Sequence, residues 1–171
     1  MELERIGRVL QAMKERGLTQ MIVCDPQSID YLTGVYVAPF ERLFALYLRA
    51  DGNHVFFLNK LFTVPETPLE KVWFSDTDDS IGMMAQRIQA GEPLGIDKEW
   101  TARFLLPLME RLPGTSFQLA SDCVDSVRAR KDAAEQELMR MNSRLNDEAM
   151  TRAVAYIREG MTEQQVANFL M

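Results

Sequence analysis

Residues 43–58 read LFALYLRADGNHVFFL, and this stretch decides the fold. Two strand-like runs, residues 43–48 and 54–58, flank Ala50-Asp51-Gly52-Asn53. Asp-Gly tolerates the positive φ that a tight turn requires, so the pair reads as a β-hairpin. Neither run alternates apolar with polar residues. An unbroken apolar run such as residues 21–24 suits a strand covered on both faces by helices.

The segments on either side have the spacing of such helices. Upstream, Leu3, Ile6, Leu10 and Met13 recur at steps of three and four, an amphipathic helix ended by Gly17. Residues 21–24 form an unbroken apolar strand, and Asp25-Pro26 turns the chain. Ser28 then caps a short helical turn through Ile29, Tyr31 and Leu32, which Gly34 closes. Residues 35–41, with two aromatics and Pro39, read as a loop. Downstream, Pro65 and Pro68 interrupt the chain before a short strand at residues 72–74. Ile81, Met84, Ala85 and Ile88 mark a helix that stops at Gly91, and residues 94–96 a strand. Phe104, Leu105, Leu108 and Leu112 mark another helix, with Pro107 at its first turn or at a kink. Phe117 and Leu119 lie on a last strand. Strands alternating with helices around one hairpin place the chain in the α/β class, a mixed sheet flanked by helices. It contains no internal repeat.

The last quarter has a different character. No proline follows Pro113, and no glycine falls in residues 131–159. Leu138, Met141, Leu145, Ala149, Ala153 and Tyr156/Ile157 share one face of a long helix. Gly160 reads as its αL stop, and Thr162 with Gln165 as a capping box opening a further helix near Glu163. Val166, Phe169 and Leu170 on that helix need a surface to pack against. The expected organisation is an N-terminal α/β domain at residues 1–126 and, at 127–171, a linker helix with the start of a following domain. The chain thus reads as the front part of a longer protein.

Composition narrows the function. The chain has 171 residues, 47% hydrophobic and 26% charged, with 19 Lys plus Arg against 25 acidic residues and a net charge of −6. A basic footprint for nucleic acid is missing. The one basic run, residues 128–131, is answered by Glu135 and Glu137 and reads as a solvated helix start. Cys24 and Cys123 sit beside apolar runs, where buried thiols are expected rather than a disulfide. The charged opening residues 1–16 hold no signal-peptide core, and no apolar stretch is long enough to span a membrane. The expected location is the cytoplasm.

Candidate chemistry is sparse. His54, the single histidine, follows a hairpin turn and reads as solvent-exposed or edge-strand. The acidic run at residues 76–79 offers oxygens to a hard cation, but its place before a helix favours capping and dipole complementation. Asp97, Lys98 and Glu99 invite the same reading. No nucleophile elbow, glycine-rich phosphate loop or zinc-ligand spacing is present. A phospho-receiver domain begins with a strand, whereas this chain begins with a helix and has Asn59-Lys60 where an acceptor aspartate would be sought.

One family does share these features in order. Ile29-Asp30-Tyr31-Leu32-Thr33-Gly34, then Glu41-Arg42-Leu43 with its apolar strand and Asp51-Gly52, resemble segments of one domain. So do Val127-Arg128, Lys131-Asp132, Glu135, the long helix, and Gly160-Met161-Thr162-Glu163. That domain is the N-terminal one of the Xaa-Pro peptidases (prolidase, aminopeptidase P) and creatinase, which is ribonuclease-H-like. The resemblance implies a parent that hydrolyses peptide bonds preceding proline in short peptides. Its pita-bread catalytic domain would lie downstream and hold two divalent metal ions, of manganese, cobalt or zinc type, through two Asp, one His and two Glu. This chain carries none of those positions, so it is expected to hold no cofactor and to be inactive alone. The resemblance also implies a homodimer built through this domain, with the loop after Tyr31-Leu32-Thr33-Gly34 facing the partner's active site. In this sequence that loop is residues 35–42, and Tyr36, Phe40 and Arg42 are its contact candidates: rings supply area, and arginine can fork onto a carboxylate. The plain alternative is that Phe40 is core and Arg42 pairs with Glu41 or solvent. The alternative function is a stand-alone, non-catalytic interaction module of the same fold.

Overall fold

The structure, a computed structural model, describes residues 3–170. Met1, Glu2 and Met171, at the ends of the two expected domains, lie outside the described residues. The first half runs α1 (Leu3–Glu15), β1 (Gln20–Val23), α2 (Pro26–Thr33), β2 (Ala45–Arg49), β3 (Val55–Asn59) and β4 (Glu70–Phe74). It continues with α3 (Ser80–Ala85), β5 (Leu94–Ile96), α4 (Ala102–Arg111), β6 (Phe117–Leu119) and α5 (Asp122–Ala129). Then come α6 (Ala133–Tyr156) and α7 (Glu163–Leu170). The chain divides into two compact units, Met1–Ala129 and Arg130–Met171.

The hairpin forms with Tyr47 opposite Val55 and Ala45 opposite Phe57. Gly52 takes φ 86° in the turn, and Asp51 accepts the Asn53 amide at 3.0 Å. The six strands lie in the order β4-β3-β2-β1-β5-β6. Pairing is antiparallel only where β2 is involved, with β1 and with β3. The pairs β1·β5, β5·β6 and β3·β4 are parallel. Five strands therefore end at one edge of the sheet, and β2 begins there.

The continuous apolar strands are covered on both sides, as their sequence requires. Ile6, Val9 and Met13 of α1 join Ile29, Leu32, Cys123 and Val124 over one face. Ile81 and Met84 of α3, with Leu108 of α4, cover the other against Ile22, Tyr47 and Phe57. Each large side chain buried this way contributes about 1.5–3 kcal/mol. The face of α1 runs through Val9, because Leu3 is exposed and Leu10 only partly buried. Gly95 of β5 is required by packing: a Cβ there would stand 2.9 Å from the Ala120 Cβ and 3.1 Å from Met21 Cγ.

Several local expectations change. The cap of α2 is Asp25, not Ser28: its carboxylate accepts the Gln27 and Ser28 amides, and Pro26 occupies the first turn, where no N–H is needed. Pro107 sits inside α4. His54 is neither fully exposed nor on an edge strand; it precedes the interior strand β3, half-buried, and its Nδ1 accepts the Arg49 amide at 3.2 Å. Arg128 is not a solvated helix start. It lies in the last turn of α5 and donates to Asp25 Oδ2 at 3.2 Å and to Ser28 Oγ at 3.0 Å. Both cysteines are free, buried thiols.

In the second unit, Asp132 and Glu135 form a capping box at the start of α6. The helix ends at Tyr156, earlier than the Gly160 stop read from the sequence, because Ile157 is already extended at φ −61°, ψ 132°. Gly160, at φ 87°, belongs to the turn before α7. The Thr162–Gln165 box forms there, with the Thr162 amide donating to Gln165 Oε1 at 2.8 Å. Leu138, Met141, Leu145, Phe169 and Leu170 all remain exposed.

Candidate functional site

Gly34, in the left-handed region at φ 71°, ends α2 and releases the chain into residues 35–42. Thr33 anchors the exit. Its hydroxyl donates to the Ile29 carbonyl at 2.7 Å and accepts the Val35 amide at 3.1 Å. Val35 and Val37 are buried while Tyr36 and Ala38 face outward, so a two-residue alternation holds the segment on the core without a ladder. The loop then reaches the sheet edge where β2 starts and β3, β4 and β5 end.

At that edge two side chains from outside the loop, Asp76 and Arg103, fix it, and Asn59 holds Asp76. Arg42 donates from Nε to Asp76 Oδ1 at 3.1 Å and from Nη2 to Asp76 Oδ2 at 3.1 Å, and Nη1 lies 3.0 Å from Glu41 Oε1. Asp76, two residues past β4, also accepts from Asn59 Nδ2 at 2.7 Å. Asn59 is the buried last residue of β3, and its Oδ1 accepts the Leu61 amide at 2.9 Å. Arg103, in the first turn of α4, donates to the Glu41 carbonyl at 3.2 Å. Hydrogen bonds from Arg42 and then Asn59 hold the Asp76 carboxyl below the usual carboxylate range. The same contact with Asp76 raises Arg42 further.

Between these anchors lies Phe40, with φ 51° and a side chain 86% exposed. It is the non-glycine residue with positive φ among the described residues. The Arg42 amide donates to the Pro39 carbonyl at 2.9 Å, so Phe40 occupies the first corner of a four-residue turn. The reading of Phe40 as core fails, whereas Arg42 does pair with Glu41, and with Asp76 in addition. Tyr36 is also exposed. Tyr36 and Phe40 thus present rings outward, while the guanidinium of Arg42 is engaged on all three nitrogens. Beside Phe40 lies a cleft of about 270 Å³, lined among others by Pro26, Pro39, Trp100 and Phe104. Arg42, Leu43 and Phe104 also line a second one of about 240 Å³, with Asn59, Ser75 and Arg103.

The acidic segments are distributed over separate tasks. Asp79 caps α3 through the Gly82 amide at 2.9 Å and pairs with Arg111, and Asp78 accepts the Ser75 amide at 2.7 Å. Asp97 is a tie rather than a helix cap: buried, it accepts the Cys24 and Asp25 amides and that of Glu99, joining the ends of β1 and β5. Among the described residues, no three His, Cys, Asp or Glu side chains converge in a geometry that could hold a metal ion. Sequence reasoning paired Arg42 with Glu41 but missed Asp76, 34 positions further along, and Asn59, which holds Asp76 from 17 positions before it. The available signal was an asparagine closing the apolar run Val55-Phe56-Phe57-Leu58.

Comparison with known proteins agrees with this architecture. The chain is 27% identical to an uncharacterised peptidase of Staphylococcus aureus (strain MSSA476) over 98% of its own length and 48% of that protein's. It superimposes on a dipeptidase of Mycobacterium ulcerans with TM-score 0.83 and 26% identity, covering 98% of this chain and 47% of the other. The fold also matches a prolidase of Thermococcus sibiricus, TM-score 0.83 at 22% identity, over 99% of this chain and 48% of that one. The chain spans about half the length of the curated relatives it matches. Among the described residues no helix is long and apolar enough to cross a membrane. Residues 5–130 match the Creatinase/Prolidase N-terminal domain, and the chain belongs to that family.

Proposed function

We propose that this chain is the N-terminal part of a metal-dependent Xaa-Pro dipeptidase or aminopeptidase, a cytoplasmic enzyme that hydrolyses peptide bonds preceding proline. The observation that carries this reading is the match of nearly the whole chain to about half the length of peptidase relatives. The two divalent ions would be held by residues of the other half, and the 171-residue chain alone would be inactive. Its own role is assembly of a homodimer and control of access to the partner's active site by residues 35–42. Exposed rings at Tyr36 and Phe40 support that role, as does the fixed geometry of Arg42 beside them. Exposed Leu138, Met141, Leu145, Phe169 and Leu170 in the second unit suit packing against a catalytic domain of the same polypeptide.

The test compares the 171-residue chain with a polypeptide extended to the length of its relatives. With manganese added, only the extended protein should hydrolyse Xaa-Pro dipeptides, and light scattering should show it as a dimer. Turnover by the short chain would overturn its assignment as a non-catalytic part. An extended protein with no peptidase activity would leave the stand-alone interaction module as the correct reading.

A further inference from the structure

We infer that Asp76, seated by Asn59, is a positioning residue that acts through Arg42 to hold Phe40 outward; its functional consequence rests on the access-loop reading above. A left-handed φ of 51° is disfavoured for a phenylalanine, because Cβ crowds the following carbonyl oxygen. Such a conformation persists where the surroundings over-determine it. Burial of the ring does not supply that constraint, since the side chain is 86% exposed. The residues on either side do.

Pro39 has a fixed φ and accepts the Arg42 amide at 2.9 Å, which closes the turn. Arg42 is gripped by both oxygens of Asp76, at 3.1 Å to Oδ1 and 3.1 Å to Oδ2. A planar guanidinium fork on a carboxylate fixes direction as well as distance, so the pair orients the backbone that carries it. Asp76 could itself swing in solvent, but Asn59 Nδ2 holds its Oδ1 at 2.7 Å. Asn59 is buried, and its own Oδ1 is occupied by the Leu61 amide at 2.9 Å. Arg103 secures the intervening peptide through the Glu41 carbonyl at 3.2 Å. The chain of contacts runs from the end of β3 through Asp76 to the turn, and the result is an exposed ring on a stiff support. A preorganised ring loses little freedom on binding, which is the advantage of presenting it this way.

Two measurements separate this inference from the reading beneath it. In hydrogen exchange of the chain itself, Asp76→Asn should raise exchange of the amide at position 42 by about five-fold, with the strand amides unchanged. Arg42→Ala should give the same increase, and the double variant no more than either. Unchanged exchange in Asp76→Asn, or additive effects, would overturn the positioning role. In the extended protein acting on an Xaa-Pro dipeptide, Phe40→Ala and Asp76→Asn should each raise KM by about three-fold or more with kcat little changed. If Phe40→Ala leaves KM unaltered, the access-loop reading fails. If Phe40→Ala raises KM while Asp76→Asn does not, that reading stands and the positioning inference fails.

Discussion

Tyr47 Oη donates to Gln20 Oε1 at 2.6 Å inside the sheet, where both residues are buried. The same oxygen accepts the Gln89 amide at 3.0 Å, and Gln20 Nε2 donates to the carbonyls of Gln89 at 2.8 Å and Glu92 at 3.3 Å. One glutamine therefore joins β1, β2 and the segment before β5. Tyr47→Phe removes one bond and leaves the others in place, and should cost about 1 kcal/mol in urea unfolding. Gln20→Leu leaves a buried hydroxyl and three backbone groups without partners, and should cost about 2–3 kcal/mol. Equal effects of the two substitutions would show that the glutamine is not the centre of this network.

Phe40 should respond to substitution unlike a core aromatic. Truncating a buried phenylalanine costs about 3–5 kcal/mol. At this exposed, left-handed position Phe40→Asn should be neutral or slightly stabilising, since asparagine tolerates αL. Phe40→Val should lower stability by about 1 kcal/mol, because a β-branched side chain is least suited to positive φ. Thermal melts of the two variants give the comparison.

His54 should make stability depend on pH. Burial lowers its pKa from the ordinary 6.5, and its Nδ1 must stay unprotonated to accept the Arg49 amide. As pH falls, the unfolded chain takes up the proton first. The stabilisation is therefore complete above the ordinary histidine pKa and is lost as pH falls through the folded value. Unfolding midpoints should drop between about pH 7 and pH 5, and His54→Gln should flatten that slope.

The Asp132–Glu135 capping box should set the helicity of the second unit. Asp132→Ala removes the acceptor for the Glu135 amide, now at 2.9 Å, and should cost about 1 kcal/mol. Circular dichroism near the unfolding midpoint should show the loss, whereas Leu145→Gln on the exposed face should change stability by less than about 0.5 kcal/mol.

What the sequence disclosed follows the range of the interactions concerned. Hairpin, helices and strands were legible because spacing and Asp51-Gly52 act within a few residues. The Thr162–Gln165 box was legible for the same reason. Asp25-Pro26 reads as a turn from its composition, yet the same pair is a cap followed by a first-turn proline. The end of α6 was misplaced because Gly160 has the right chemistry but sits beyond a chain already extended at Ile157. The clamp on Arg42 could not be read locally: it depends on β3 and β4 ending side by side, with Asn59 opposite Phe74. Likewise, nothing local indicates that Asp97 would be buried at the meeting of two strands.

The reversed direction of β2 has a further consequence. The segment between Thr33 and Ala45 arrives at the rim where neighbouring strands leave, so residues 38–42 can change without shifting any strand's register, while buried Val35, Val37, Leu43 and Phe44 stay on the core. Relatives could therefore diverge at this rim by insertion or exchange of a few residues while the scaffold stays constant. Under the proposed access role, grafting this short stretch between family members should carry KM with it.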